Sequence, residues 1–192
     1  MANYTVKAIM ENFEEMLVEM PFNKVTVSAL VERCEISSNT FYYHFRDIYG
    51  LLDQWLTIKV NQYFNFDDED QDWADCLKAL LKAMQTNSRM IYHIWGAISK
   101  ERLEQAVFGP VQDWFCILVK KRHICDGVSE DFVQDVAEFY CYSILGFVLK
   151  FIWDHMQSDV DQAVDRFSGI LRGTRDYMLA AEKGDAARAE HQ

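Results

Sequence analysis

From Tyr4 to Met20 the apolar residues Val6, Ile9, Met10, Phe13, Leu17 and Met20 recur every three or four positions. That spacing puts them on one face of an α-helix. Lys7, Glu11, Glu14, Glu15 and Glu19 fall off the stripe, and Pro21 ends it. Thr26 then has the chemistry of an N-cap, since its hydroxyl can accept from an otherwise unpaired backbone N–H. Val27, Leu30, Val31 and Cys34 follow at helical spacing. A second cap is predicted at Ser37, and Ile36 before it and Phe41 after it have the spacing of a hydrophobic staple. The helix after Ser37 buries Phe41 and Phe45. Thr26 to Phe45 therefore reads as two short helices joined by a tight turn, the outline of a helix-turn-helix. With Phe41 and Phe45 inward, the other face shows Ser38, Asn39, Tyr42, Tyr43 and His44. Each of these can hydrogen-bond and none is acidic, which suits phosphate oxygens and base edges.

A longer helix is predicted from Asp47 through Leu51, Leu52, Trp55, Ile58 and Tyr63. The acidic residues Asp67, Asp68, Glu69, Asp70 and Asp72 read as a solvated connection. Trp73 to Gln85 is amphipathic, and two further helices are expected between Arg89 and Phe108, with a break near Gly96. Gly109-Pro110 marks a turn before a helix carrying Val111, Trp114, Phe115, Leu118 and Val119, which stops around Asp126-Gly127. Ser129 caps a long helix to about Met156. Its middle, Phe139 to Leu149, is apolar nearly all round, the pattern of a helix buried in a large core or at a subunit interface; in a domain this small an interface is the expectation. A last helix runs from about Asp159 to Ala181, with a frayed polar tail from Glu182 to Gln192.

Composition agrees with an all-α chain. Two prolines and eight glycines in 192 residues leave few breakers, and 50% hydrophobic content is ample for a core. The first residues carry Glu11, Glu14 and Glu15 rather than a basic leader, and Phe139 to Leu149 is too short for a bilayer, which needs about 20 residues. No membrane partner is expected, and the chain is read as cytoplasmic. The five cysteines, Cys34, Cys76, Cys116, Cys125 and Cys141, form no CxxC pair and read as reduced packing residues. The net charge of −11 opposes nucleic-acid binding, which depends on neutralising phosphates. Residues 1–46 carry −2, but Lys24 to Arg46 carries +1, so the acid lies mainly on the first helix.

The stretch Thr26 to Phe45, TVSALVERCEISSNTFYYHF, resembles the helix-turn-helix of TetR-type transcription regulators. Ser37, Thr40, Phe41, Tyr42, His44 and Phe45 match the family's pattern. A short surface helix with an ordinary cap is the plain alternative, but capping and core spacing alone do not demand that residue order. The resemblance covers about the first 55 residues. It implies an N-terminal three-helix helix-turn-helix domain (1–46) and a C-terminal helical bundle (47–192) for effector binding and dimerisation. It implies that Thr26, Tyr42 and His44 touch the backbone of a double-stranded DNA operator, and that Ser38, Asn39, Thr40 and Tyr43 reach bases; Ser37 completes the expected DNA-binding set. Two positions depart from the family. Cys34-Glu35-Ile36 occupies a turn that usually holds a small residue, often Gly, and Ile48 stands where a phosphate-contacting Lys is usual. Weak, salt-sensitive binding is the expectation, with specificity from neutral hydrogen bonds.

The resemblance further implies a homodimer through the last two long helices, with Tyr140, Ile144, Phe147, Val148, Phe151, Phe167 and Leu171 as the expected interface. It also implies a ligand cavity in the bundle. Tyr92, His93, Trp95, Trp114, Phe115, Phe147 and Trp153 are candidate lining residues for an unknown small-molecule effector, with plain core packing as the alternative. The C-terminal stretch Tyr140 to Phe147, with Trp153 and Met156, resembles the branch of activators of dihydroxyacetone kinase genes, which answer to a protein partner. A TetR-like co-regulator or activator working through such a partner is thus the second reading. Cys116, His123 and Cys125 lack the spacing of a metal site, and the acidic run lacks the glycine and terminal Glu of a calcium loop. No cofactor is expected, and no phosphate-binding Gly loop or hydrolase motif supports an enzyme.

Overall fold

The computed structural model describes residues 2–64, 72–99, 101 and 129–189. Every regular element among them is helical: α1 (Ala2–Glu19), a 3₁₀ turn (Phe22–Lys24), α2 (Val27–Arg33), α3 (Ser38–His44), α4 (Ile48–Asn61), α5 (Trp73–Thr86), α6 (Ser88–Trp95), α7 (Glu130–Trp153) and α8 (Val160–Ala189). The chain forms two compact units, the first holding α1 to α4 with α6, the second holding α5 up to Ala83 with α7 and α8.

The first unit closes around Ile9, Phe13 and Leu17 of α1, Leu30 of α2, Phe41 of α3, and Leu51 and Leu52 of α4, each with no exposed surface. Met90 and Ile94 of α6 complete the cluster. Aromatic rings fix its angles: Phe13 meets Phe22 and Trp55 edge-on at 6.2 and 6.4 Å. The α6 helix, which packs on α1, also mends a defect at the end of that helix. Pro21 has no N–H to give the Leu17 carbonyl four residues earlier. His93 of α6 supplies the missing partner, its Nδ1 lying 2.8 Å from that oxygen, so this nitrogen carries the proton. Replacing His93 with Leu is expected to lower stability by about 1–3 kcal/mol, because the carbonyl is left unmatched. His93→Gln, which keeps a donor, should lose less; equal urea midpoints for the two variants would contradict the assignment.

The turn between α2 and α3 shows how the chain accommodates Glu35. Ile36 N–H donates to the Val31 carbonyl at 3.0 Å, and Glu35 N–H to the Glu32 carbonyl at 3.1 Å. Those two bonds make a Schellman cap. It requires a left-handed residue at Glu35, whose φ is 54°. A side chain costs roughly 1–2 kcal/mol in that conformation, partly offset because glycine loses more backbone entropy on folding. Glu35→Gly is therefore expected to stabilise the protein by about 0.5–1 kcal/mol, whereas Glu35→Gln keeps the strain and should change little. Thermal melts of the two variants decide it, and a lower midpoint for Glu35→Gly would show that the backbone strain at this turn is smaller than the entropy lost on placing a glycine there.

In the second unit α7 and α8 run antiparallel. The Tyr140 hydroxyl donates to the Leu171 carbonyl at 2.6 Å, and Phe147 stacks on Phe167 at 4.3 Å. The α5 helix joins α8 through Lys78–Asp165 and Lys82–Asp161, both 2.7 Å, and through Asp72–Arg172 at 2.8 Å. Asp72, the one described member of the acidic run, also accepts from Ala74 N–H and so caps α5. Two expectations change. The α8 helix continues to Ala189 rather than fraying after Ala181, because Ala, Glu, Lys and Arg in that stretch are strong helix formers. The α7 helix is long and apolar enough, by length and composition, to cross a bilayer, so its apolar stretch is longer than Phe139 to Leu149. A core helix has the same composition, and nine α7 residues are buried within the protein.

Candidate nucleic-acid interface

Both predicted caps form. Thr26 Oγ1 accepts from Ala29 N–H at 3.2 Å, and Ser37 Oγ accepts from Thr40 N–H at 3.1 Å. Ile36 packs against the core that Phe41 enters. These local contacts set the orientation of α3, whose buried residue is Phe41. Phe45 leaves the helix with extended backbone (φ −133°, ψ 135°) and buries beside Phe41 at a ring distance of 5.5 Å.

The opposite face of α3 is open. Ser38 and Asn39 are exposed, Tyr42 is 56% exposed and Tyr43 82%. Thr26 and Ser37 are exposed as well, while Thr40 and His44 are half-buried. The Thr40 hydroxyl lies 2.9 Å from that of Ser37, so one donates a hydrogen bond to the other within the protein. The His44 ring stands edge-on to Tyr43 at 4.9 Å. The predicted residues Ser37 to His44 thus lie on one short helix and its cap, while Thr26 caps the helix before it. Those whose polar groups are wholly free for a ligand are fewer: Ser38, Asn39 and the hydroxyls of Tyr42 and Tyr43.

The charges sort themselves in a way that composition hides. Arg33 reaches back to α1, donating to Glu15 and Glu19 at 2.8 Å each. Its hydrogen bond pulls the Glu19 carboxyl below the usual range, and the two carboxylates push the guanidinium pKa up. Lys59 binds Glu14 at 2.7 Å and lies 5.6 Å over the Trp55 ring, and Lys7 pairs with Glu11. The acids of α1 are therefore matched to cations of α1, α2 and α4. Among the described residues before Asn61, Lys24 and Arg46 are the cations left without a carboxylate, both exposed, one preceding α2 and one following α3. Neither belongs to the expected site set; only the pairing of the other cations distinguishes them.

The two departures from the family pattern have physical explanations. Ile48 begins α4 and packs on the first unit's core, so no side-chain cation projects there. Asp47 caps that helix, its Oδ1 accepting from Gly50 N–H at 2.8 Å. Cys34 sits in the turn with its thiol pushed up by burial.

The candidate pocket residues fall in both units. Tyr92, His93 and Trp95 are half-buried on α6 in the first unit, and His93 is committed to Leu17. In the second unit Phe147 stacks on Phe167, whereas Trp153 is 59% exposed. Trp114 and Phe115 lie outside the described residues, as do Cys116, His123 and Cys125. Of the expected interface residues, Tyr140, Ile144, Phe151 and Leu171 are buried within the chain, and Phe147, Val148 and Phe167 are half-buried. The exposed apolar residues of α7 and α8 are instead Phe139, Tyr142, Trp153, Ile170 and Tyr177.

Comparison with known proteins agrees with this architecture. Residues 9–54 match the bacterial regulatory proteins of the tetR family, and residues 71–173 match a transcriptional regulator C-terminal region. No curated protein sequence matches. Among solved structures the chain is similar to the dihydroxyacetone kinase operon activator DhaS, with a TM-score of 0.66, 14% identity, and coverage of 90% of this chain and 97% of that one. A TetR transcriptional regulator from Streptococcus agalactiae gives 0.62 at 16% identity, covering 88% and 94%. The TetR family repressor AlkX from Dietzia gives 0.60 at 12% identity, covering 90% and 97%. At such identities the likeness is one of fold. The sequence matches span both units, and with them the chain belongs to the TetR family: it is a DNA-binding transcription regulator, not an enzyme.

Proposed function

We propose that the chain is an effector-responsive repressor acting as a homodimer in the cytoplasm, with residues 1–46 on the operator and 47–192 serving effector binding and dimerisation. The carrying observation is the open α3 face, neutral and rich in hydrogen-bonding groups, in a unit whose two uncommitted cations, Lys24 before α2 and Arg46 after α3, are exposed. In this reading each α3 enters a major groove, and the half-sites lie roughly 34 Å apart or a multiple of it. An effector in the C-terminal bundle binds two dimer states unequally and so shifts the population away from the spacing that fits the operator.

Lys24 and Arg46 supply the phosphate contacts. Lys24→Gln and Arg46→Gln should each weaken binding about equally on all sequences and reduce the steepness of the log K versus log salt plot by about 1. An unchanged slope in both variants would mean that the phosphates are neutralised elsewhere.

A second reading has a specific support. Glu35 and Ile48 replace the small turn residue and the lysine of the family pattern, and DhaS, of similar fold, is an operon activator. On that reading the chain is a co-regulator or activator working through a protein partner. Fluorescence anisotropy against the DNA flanking the protein's own gene, at two salt concentrations and with random DNA as control, separates the two. Specific binding that weakens with salt supports the repressor. A folded dimer with no preference for its own flanking DNA, even at low salt, favours the partner-dependent regulator.

A further inference from the structure

We propose that each operator half-site presents an adenine to Asn39, and that no side chain of α3 makes the two-donor contact that singles out guanine. The inference rests on α3 being the recognition helix and specifies what that helix reads. In the major groove guanine offers two acceptors, N7 and O6, and is matched by a side chain with two donors, Arg or Lys. Helix α3, SNTFYYH, contains neither. Arg33 is held by Glu15 and Glu19, and Arg46 lies beyond Phe45, whose extended backbone takes the chain out of the helix. His44 is half-buried with its ring against Tyr43 and Phe45. Cytosine offers a donor and calls for an acceptor such as a carboxylate, which α3 also lacks.

Adenine is different, because its N7 accepts while its N6 donates. A carboxamide carries one donor and one acceptor side by side and meets both atoms. Asn39 is the one carboxamide on α3; it is exposed, and its amide makes no hydrogen bond to other described residues. Thr40, next to it, has its hydroxyl engaged by Ser37. Ser38 can bond to any base edge and so discriminates little. Tyr43 lies four residues beyond Asn39 on the same face, 82% exposed, with a ring that suits the methyl group of a thymine nearby.

The test begins by selecting bound duplexes from a random pool with the full-length protein. In the enriched site each adenine is then replaced in turn by 7-deaza-adenine, which keeps Watson–Crick pairing and removes the N7 acceptor. Affinities are measured for the wild type and for Asn39→Ala, whose exposed position leaves the fold intact. One adenine per half-site is expected to show a loss of roughly tenfold or more in the wild type and none in Asn39→Ala. Asn39→Arg is expected to move the preference at that position from adenine to guanine. An enriched site in which no adenine is coupled to Asn39 would overturn the inference while leaving DNA recognition standing. Failure to enrich any sequence would remove the recognition-helix reading, and this inference with it.

Discussion

Phe41→Ala is expected to destabilise the protein by about 3–5 kcal/mol and to abolish operator binding, although Phe41 touches no DNA. Its ring is fully buried, 5.5 Å from Phe45 and edge-on to Tyr42 at 5.4 Å. Helix α3 has seven residues, too few to be stable alone, so its helicity derives from this one anchor and the Ser37 cap. Emptying the site removes the anchor and leaves a cavity in the first unit's core. A domain stable by about 5–15 kcal/mol loses a large part of its margin in this way. The amides of α3 should then exchange hydrogen with solvent nearly as fast as an unfolded peptide, while α7 and α8 keep their protection. Phe41→Leu, which keeps most of the volume, should retain binding at a cost of about 1–2 kcal/mol. Equal urea midpoints for Phe41→Ala and the wild type would show that α3 is held by something other than this ring.

What the sequence made legible in this region was its local chemistry. Thr26 and Ser37 precede apolar repeats, Ile36 and Phe41 are spaced as a staple, and Pro21 can only end α1; each signal lies within four or five residues of its effect. The family pattern in Thr26 to Phe45 added the role of α3. The charge pairing was not legible, because Arg33 and its partners Glu15 and Glu19 are 18 and 14 positions apart and meet only once α1 and α2 pack. Read as a sum, the first 46 residues carry −2; read as pairs, the α1 acids are matched and Lys24 and Arg46 stand exposed without a carboxylate, as Glu32 and Glu35 stand exposed without an ion-pair partner among the described residues.

The C-terminal half illustrates a different limit. A helix as uniformly apolar as α7 gives no periodic signal for which side turns inward. Tyr140, Ile144, Phe151 and Leu171 are therefore natural interface candidates from sequence, and in the single chain all four are already buried. Tyr140 is held most firmly, since the bond from its hydroxyl to the Leu171 carbonyl ties α7 to α8. Likewise His93 reads as a cavity residue until Pro21 is seen to leave the Leu17 carbonyl without a donor.

The residues left uncovered carry the last prediction. On α8 Ile170 is 67% exposed and Tyr177 77%, and a Cβ added at Gly169 or Gly173 would meet nothing within 4 Å. On the antiparallel α7, Phe139, Tyr142 and Trp153 are exposed, and Gly146 between them is equally open. The proposed homodimer would bury these rows, because small residues allow close helix approach and the large ones need cover. Ile170→Glu is expected to convert the dimer to a monomer. The exposed position accepts a carboxylate in the single chain without loss of fold, but in a two-fold interface the charge enters twice and is desolvated without a partner. Operator affinity should fall by about 10²–10⁴-fold, since a monomer engages one half-site and forfeits the linked second contact. Ile170→Val should leave both properties intact. Sedimentation equilibrium is the decisive measurement. A dimer that persists in Ile170→Glu would place the interface on another surface; a folded monomer that still binds the full operator with wild-type affinity would show that the two half-sites are not read together.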